Sequence, residues 1–493
     1  MKKYLFSFLI IFTLFLPDCI HPFNSNKSVK MISGERVSFS ELDTTIIQIM
    51  DKAGVTGLSC AIINDSKVVY QKAYGFRDKS TGVLNNEETI FSAASFSKTV
   101  FAYLVMLLVE DGIMDLDKSL QEYLDKPLQE YPNYKDLNGD ERAGLITAKM
   151  VLSHSTGFPN WRFLTDDGKL KFMFDPGSRF SYSGEGISLL QMVVEKITEK
   201  GLEELSQELV FQPLGMERTS YVWQEIFEEN YAVPHDQYER SKNLNRRRKA
   251  DAAGSMQTTA GDYARFLLGI LNAEGKRKAS MDTMLNSQIA IKTENMFGSG
   301  AWQDTDVNDQ SELSWGLGWG RFDTKYGRAF FHTGHDFGWQ NYTVAYYDKG
   351  IGIVLLSNSD NFESVVRDIA ANTIGDEYSP FDWLGYPRYD PTMPKEPPPE
   401  PVAIDVSPDI LEKYIGEYTF LGNRKFFVKM EDNQLYGTSD DNDTWIEMYA
   451  ESESKFFIKG ENARFTFIKN DDEVVTGFIL NLEGLELPGD KVK

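Results

Sequence analysis

The run Pro391-Thr392-Met393-Pro394-Lys395-Glu396-Pro397-Pro398-Pro399-Glu400-Pro401 constrains the chain more than any other stretch. Each proline fixes φ and lacks an N–H, so the run makes a stiff, extended spacer rather than a helix interior or a central strand. At 493 residues the sequence is also too long for one ordinary core. It reads as two folded units, over 35–385 and 403–493, joined by a linker over 386–402.

In the first unit, residues Ser40 to Ala53 carry helical apolar spacing with Ser40 as N-cap. Leu58 to Ile63 and Lys67 to Gly75 are β-rich runs joined through Asn64-Asp65-Ser66, a hairpin pattern. About residues 100 to 300 are mostly helical. Strand patterns return at Trp315 to Phe322, Arg328 to His332, Tyr342 to Asp348 and Ile351 to Ser357, and Phe362 to Ile374 closes as a helix. Strands at both ends with helices between them predict an α+β fold whose sheet is assembled from distant segments. Beyond the linker, Arg424 to Glu431, Gln434 to Thr438, Lys455 to Lys459, Ala463 to Lys469 and Glu473 to Asn481 are short strands separated by Asp/Asn/Gly turns. They predict a small all-β domain, a barrel or a sandwich.

Lys2 and Lys3 ahead of an apolar run from Tyr4 to Leu16 have the form of a signal peptide over 1–20, which predicts export, to the periplasm or the medium. Leu16-Pro17-Asp18-Cys19 places a cysteine as at a lipoprotein cleavage site, although Pro17 and Asp18 match it poorly; a lipid on Cys19 is the alternative to free release. The remaining cysteine, Cys60, lies in an apolar strand, so no disulfide framework exists. A net charge of −23 disfavours nucleic acid as a partner. A small-molecule or peptide substrate is the expected ligand, and the sequence leaves the oligomeric state open.

The chemistry concentrates in Ser92-Ala93-Ala94-Ser95-Phe96-Ser97-Lys98-Thr99, at the head of the apolar helix Val100 to Leu108. Residues three apart share a helix face, so Ser95 and Lys98 meet in the first turn, near the free N–H groups and the positive dipole end. A lysine can deprotonate a serine only as the neutral amine, and burial lowers its pKa toward that state. Ser-x-x-Lys alone is weak evidence, and Ser452 to Lys455 is a second match explained by chance. His154, at a helix end within Leu152-Ser153-His154-Ser155-Thr156-Gly157, reads as a capping or hydrogen-bonding residue before it reads as a base. Asp136-Leu137-Asn138-Gly139-Asp140-Glu141 lacks EF-hand spacing and reads as a solvated turn. No helical His-x-x-x-His pair occurs, and neither a metal nor a cofactor is expected.

Ser95-Phe96-Ser97-Lys98, Tyr182-Ser183-Gly184 and His332-Thr333-Gly334 follow one another in the order and spacing of three motifs. Over residues 35 to 380 the chain thereby resembles the serine β-lactamase and penicillin-binding-protein superfamily, in its class C-like, esterase- and D-peptidase-like branch. The resemblance implies an antiparallel sheet flanked by helices with a large helical insertion. It implies Ser95 as a nucleophile forming an acyl-enzyme, Lys98 sharing its proton and Tyr182 as the second proton-transfer group. His332, Thr333 and Gly334 would shape the substrate-binding strand, and the N–H groups of Ser95 and His335 an oxyanion hole. Two departures matter: Gly184 replaces the usual asparagine of the second motif, and His332 replaces a lysine whose charge binds carboxylates. Glu185 is expected to substitute for the missing amide by accepting from Lys98 or from a substrate amine. Trp302, Trp315, Trp319 and Trp339 line a cleft or pack a core.

The expected activity is a metal-free serine hydrolase acting on esters or peptide-like amides, including D-amino-acid peptides. The alternatives are a receptor-like penicillin-binding protein with little turnover and a true class C-type β-lactamase. A Ser-His-Asp α/β-hydrolase is disfavoured for want of a Gly-x-Ser-x-Gly elbow.

Overall fold

The computed structural model describes residues 27–394, 396–397, 399–420, 424–440, 444–482 and 484–492. The expected signal peptide over 1–20, with Cys19, lies outside these residues. Among the described residues no helix is long and apolar enough to cross a membrane.

Ser38 rather than Ser40 caps the first long helix, Phe39–Ala53; its side chain accepts the Glu41 N–H at 3.2 Å, in a Ser-x-x-Glu capping pattern. The strands Gly57–Asn64 and Lys67–Asp78 form the expected hairpin. Its tight turn places Asp65 and Ser66 at φ 48° and 54°, as a right-twisted two-residue hairpin requires.

One antiparallel sheet of nine strands organises the large unit. Its order is Val83–Leu84, Lys67–Asp78, Gly57–Asn64, Ile351–Ser357, Trp339–Tyr346, Gly327–Asp336, Gly320–Thr324, Ser314–Trp315 and Ile289–Ala290. Residues from both ends therefore meet in its middle, where Cys60 opposes Leu355. The helix Ala260–Leu271 packs across these central strands, while Phe39–Ala53 packs with Val366–Thr373. The apolar helix, Phe96–Glu110, is buried on all sides through Leu108, as a helix without a polar face must be.

The expected strand Trp315 to Phe322 is broken in two by Gly316-Leu317-Gly318. Gly318 has φ 83°, and a β-carbon there would lie 2.3 Å from Cβ of Ala102, so the break lets the chain close onto the apolar helix. The middle of the chain is less helical than its composition suggests, with several short 3-10 turns between 120 and 164.

The last unit is a closed barrel of eight antiparallel strands, from Gly416–Phe420 to Leu485–Lys491, in which Tyr418 opposes Lys491 across the closure. Closure removes the free sheet edges. Its interior is filled by Tyr414, Tyr418, Phe456, Phe465, Phe467 and Phe478. The strand Leu485–Lys491 was hidden by Pro488 and Gly489; a β-carbon at 489 would strike the Phe478 ring at 2.5 Å. Barrel and body touch: Glu461 pairs with Lys242 at 3.0 Å and accepts the Asn243 N–H at 2.9 Å, and Phe163 of the body packs against the barrel core.

Candidate active site

Ser95 stands at the entrance of the Phe96–Glu110 helix, one residue after Ala94, which is buried at φ 45°. A non-glycine residue in the left-handed region is strained and needs its surroundings to hold it. Here the Ala94 carbonyl accepts from the Ser97 hydroxyl at 2.6 Å, and the same hydroxyl accepts the Met256 N–H at 3.0 Å. The turn carrying Ser95 is thus pinned from both sides.

Lys98 is 1 % exposed, and its Nζ donates to Ser95 Oγ at 3.0 Å and to the Ala253 carbonyl. Burial pushes its pKa down to about 7 against the opposing pull of Asp251. A substantial fraction is therefore neutral near pH 7 and able to accept the Ser95 proton. Tyr182, buried and far away in sequence, brings its phenol into a hydrogen bond with Ser95, and its ring centroid lies 4.9 Å from Lys98 Nζ. Burial raises the phenol's pKa, only partly offset by the Ser95 hydrogen bond, so it stays protonated. Ser183 caps the following helix, Gly184–Thr198, accepting the Gly186 N–H at 3.0 Å and donating to the Pro159 carbonyl at 2.8 Å.

The third motif lies on the Gly327–Asp336 strand. Pairing with Gly320–Thr324 stops at Phe331, while pairing with Trp339–Tyr346 continues to Asp336, which leaves residues 332–336 as a one-sided edge. Gly334 faces Ser92-Ala93: a β-carbon there would lie 2.5 Å from the Ala93 carbonyl oxygen. Glycine is what lets this edge approach the serine turn.

His332 is fully buried, with its ring centroid 6.2 Å from that of Tyr182. Burial and the nearby Lys98 depress its pKa to about 3, so it is neutral. Its Nδ1 contacts the Thr333 carbonyl at 2.7 Å, which fixes the proton there and leaves Nε2 an acceptor. His335 points outward with its side chain 55 % exposed. What desolvation it has disfavours the charge, but Glu363 at 2.8 Å prevails and raises its pKa to about 9.

Glu185 does not meet Lys98. Its carboxylate is held by Arg162, which donates from Nε at 2.9 Å, from a terminal nitrogen at 2.7 Å and from its backbone N–H at 2.9 Å. A planar guanidinium matches a carboxylate in two parallel bonds, so the Glu185 charge is committed to Arg162 rather than to Lys98. The space beside Gly184 is also taken: a β-carbon there would stand 2.5 Å from the Trp161 ring. Neither Trp161 nor Arg162 was singled out by sequence reasoning, because their partners lie 23 residues further on.

Trp315, Trp319 and Trp339 are core residues, and Trp302 is 46 % exposed. Trp315 backs the site, with its ring 5.9 Å from Tyr182 and 5.6 Å from His332. His154 takes the structural role: Nδ1 accepts the Ser183 N–H at 3.1 Å, behind Tyr182. Exposed Phe297 stands edge-on to the Tyr182 ring at 5.5 Å. Among the described residues no cluster of His, Cys, Asp or Glu is arranged to hold a metal ion.

A strained serine turn, a buried lysine and a phenol thus converge beside a one-sided strand edge. The family model described as Beta-lactamase matches residues 42–375, and the chain belongs to that family. Residues 400–489 match a domain of unknown function, DUF3471. Penicillin-binding protein 4* of Bacillus subtilis (strain 168) is 22 % identical over 85 % of this chain and 91 % of its own. Esterase EstB of Burkholderia gladioli is 27 % identical over 40 % of this chain and 54 % of its own. The D-aminopeptidase of Brucella anthropi is 30 % identical over 38 % of this chain and 37 % of its own. Among solved structures, the octameric penicillin-binding protein homologue from Pyrococcus abyssi superposes with a TM-score of 0.56 at 22 % identity, covering 92 % of this chain and all of that one.

Proposed function

We propose that the protein is a hydrolase that forms an acyl-enzyme on Ser95 and acts on esters or on peptide-like amides, D-amino-acid peptides among them. The observation that carries this reading is the Lys98 amine, buried, 3.0 Å from Ser95 Oγ and shifted to about 7. In the proposed reaction Lys98 takes the proton as Ser95 Oγ attacks the carbonyl carbon. The oxyanion forms against the N–H groups of Ser95 and His335, at the positive end of the helix. Tyr182 gives its proton to the departing oxygen or nitrogen and regains one from the Lys98 ammonium. Water then attacks the acyl carbon by the reverse route and frees Ser95.

An esterase and a D-aminopeptidase among the relatives support both substrate arms. The neutral state of His332 weighs against an efficient β-lactamase, since the third motif then offers no fixed cation there for a carboxylate. The test is turnover of p-nitrophenyl esters, D-alanyl peptides and a chromogenic cephalosporin, with Ser95→Ala as control. Continued turnover after a burst of one equivalent is expected on an ester or a D-peptide; a halt after one equivalent would make the protein a receptor.

A further inference from the structure

Three consecutive residues link the serine site to the barrel. Trp161 fills the space in front of Gly184, Arg162 clamps Glu185, and Phe163 packs on the barrel core. The Trp161 and Phe163 rings stack at 6.1 Å with 9° between their planes, so what seats one ring seats the other. The backbone is fixed independently, because the Asn160 carbonyl accepts the N–H groups of Gly184 and Glu185 at 3.0 and 3.1 Å. Arg162 is tied down further by the Asn133 carbonyl at 2.7 Å. The indole abuts Gly184, two residues after the Tyr182 whose phenol bonds Ser95, and Phe297 flanks that phenol as a second aromatic.

We propose that the barrel sets the acyl selectivity of the site. Phe163, seated on the barrel, is a positioning residue that holds Trp161 against Gly184. Trp161 is the specificity residue: a flat apolar face stands where the resemblance puts an amide. The favoured substrates are esters or amides with an aromatic or aliphatic group beside the reacting carbonyl, over those carrying an acylamino group there. The apolar face complements the former and leaves the polar atoms of the latter without partners. The inference rests on the acyl-enzyme reading.

The experiment uses the full-length chain and two substrates, p-nitrophenyl phenylacetate and the p-nitrophenyl ester of N-acetylglycine. The ratio of their kcat/KM values is measured together with the burst amplitude, which counts competent Ser95. Wild type is expected to favour the phenylacetyl ester, and Trp161→Ala to cut the ratio about tenfold, mainly through KM. Phe163→Ala should cut it about threefold in wild type but leave it unchanged once Trp161 is already alanine, because a residue acting through another is not additive with it. Phe163→Tyr, which keeps the stack, should restore the ratio. A full burst with an unaltered ratio in Trp161→Ala would overturn the specificity role, and additive effects in the double variant would overturn the coupling to the barrel. Absence of any Ser95-dependent hydrolysis or acylation in wild type, with Ser95→Ala as active as the parent, would instead refute the acyl-enzyme reading, and this inference would fall with it.

Discussion

Tyr418 in the barrel and Tyr182 beside Ser95 are both buried tyrosines, and they are buried to opposite ends. The Tyr418 hydroxyl donates to the Tyr414 carbonyl at 2.7 Å and its ring packs on Phe467 and Phe478, so every part of the side chain is spent on holding the barrel shut. The Tyr182 hydroxyl is aimed at another reactive side chain, within reach of a lysine that burial keeps partly neutral. The same difference separates the regions as wholes. The barrel interior is aromatic and self-satisfied, whereas the serine site concentrates a strained backbone, a desolvated amine and an imidazole with one buried nitrogen unpaired. Natural folds break local rules where chemistry is done and keep them elsewhere.

That contrast is best broken by exchanging losses between the two regions. Lys98→Met is expected to lower kcat by about 10²–10⁴-fold with the fold intact, measured by ester turnover and thermal unfolding. Phe478→Ala, which removes a ring contacting Tyr418, Phe420, Phe426, Phe465 and Phe467, should do the reverse. It is expected to cost about 3–5 kcal/mol of barrel stability while the burst per folded molecule stays at wild-type level. Equal losses of rate from the two substitutions, per folded molecule, would erase the distinction.

Proton linkage sharpens it. The rate of Ser95 acylation should rise with pH through about 7 as Lys98 loses its proton. Unfolded, the same lysine keeps its proton to about 10.4, so between those values the unfolded chain binds the extra proton and raising pH favours the folded state. Lys98→Met should remove that contribution, about 1.4 kcal/mol per pH unit, in denaturant titrations between pH 7.5 and 9.5. The smallest effect is expected at the exposed end of the Gly327–Asp336 strand. The His335–Glu363 pair contributes fully below the ordinary histidine value of 6.5 and is lost as pH rises through about 9. With the His335 side chain 55 % exposed, His335→Gln should cost at most about 1 kcal/mol at pH 6, and less at pH 10.

Much of this was readable from residue order because it rests on short-range pattern. The apolar run 100–108 can only be a fully buried helix, and Ser95 and Lys98 share its first turn by spacing alone. The strand Ile351–Ser357 announces itself as a continuous apolar run. What could not be read depends on contacts across the fold. The break at Gly318 follows from the position of Ala102, the glycine at 184 from the Trp161 ring, and the fate of Glu185 from Arg162. A carboxylate beside the second motif looks free until the residue that binds it is known. The strain at Ala94 likewise has no signature in composition, since alanine is at home in helices and only the fold holds it at φ 45°.

The central pairing of Gly57–Asn64 with Ile351–Ser357 reaches further than architecture. Ser357 donates its hydroxyl to the Gly57 carbonyl across 300 residues of chain, so the Gly57–Asn64 edge of the early hairpin waits for its sheet partner until Ile351–Ser357 has been made. Contacts of such separation form late, and the waiting strand edge must be kept from pairing with other nascent chains. The order of strands thus makes the pairings of Ile351–Ser357 the last that the chain can complete in this sheet as it is synthesised.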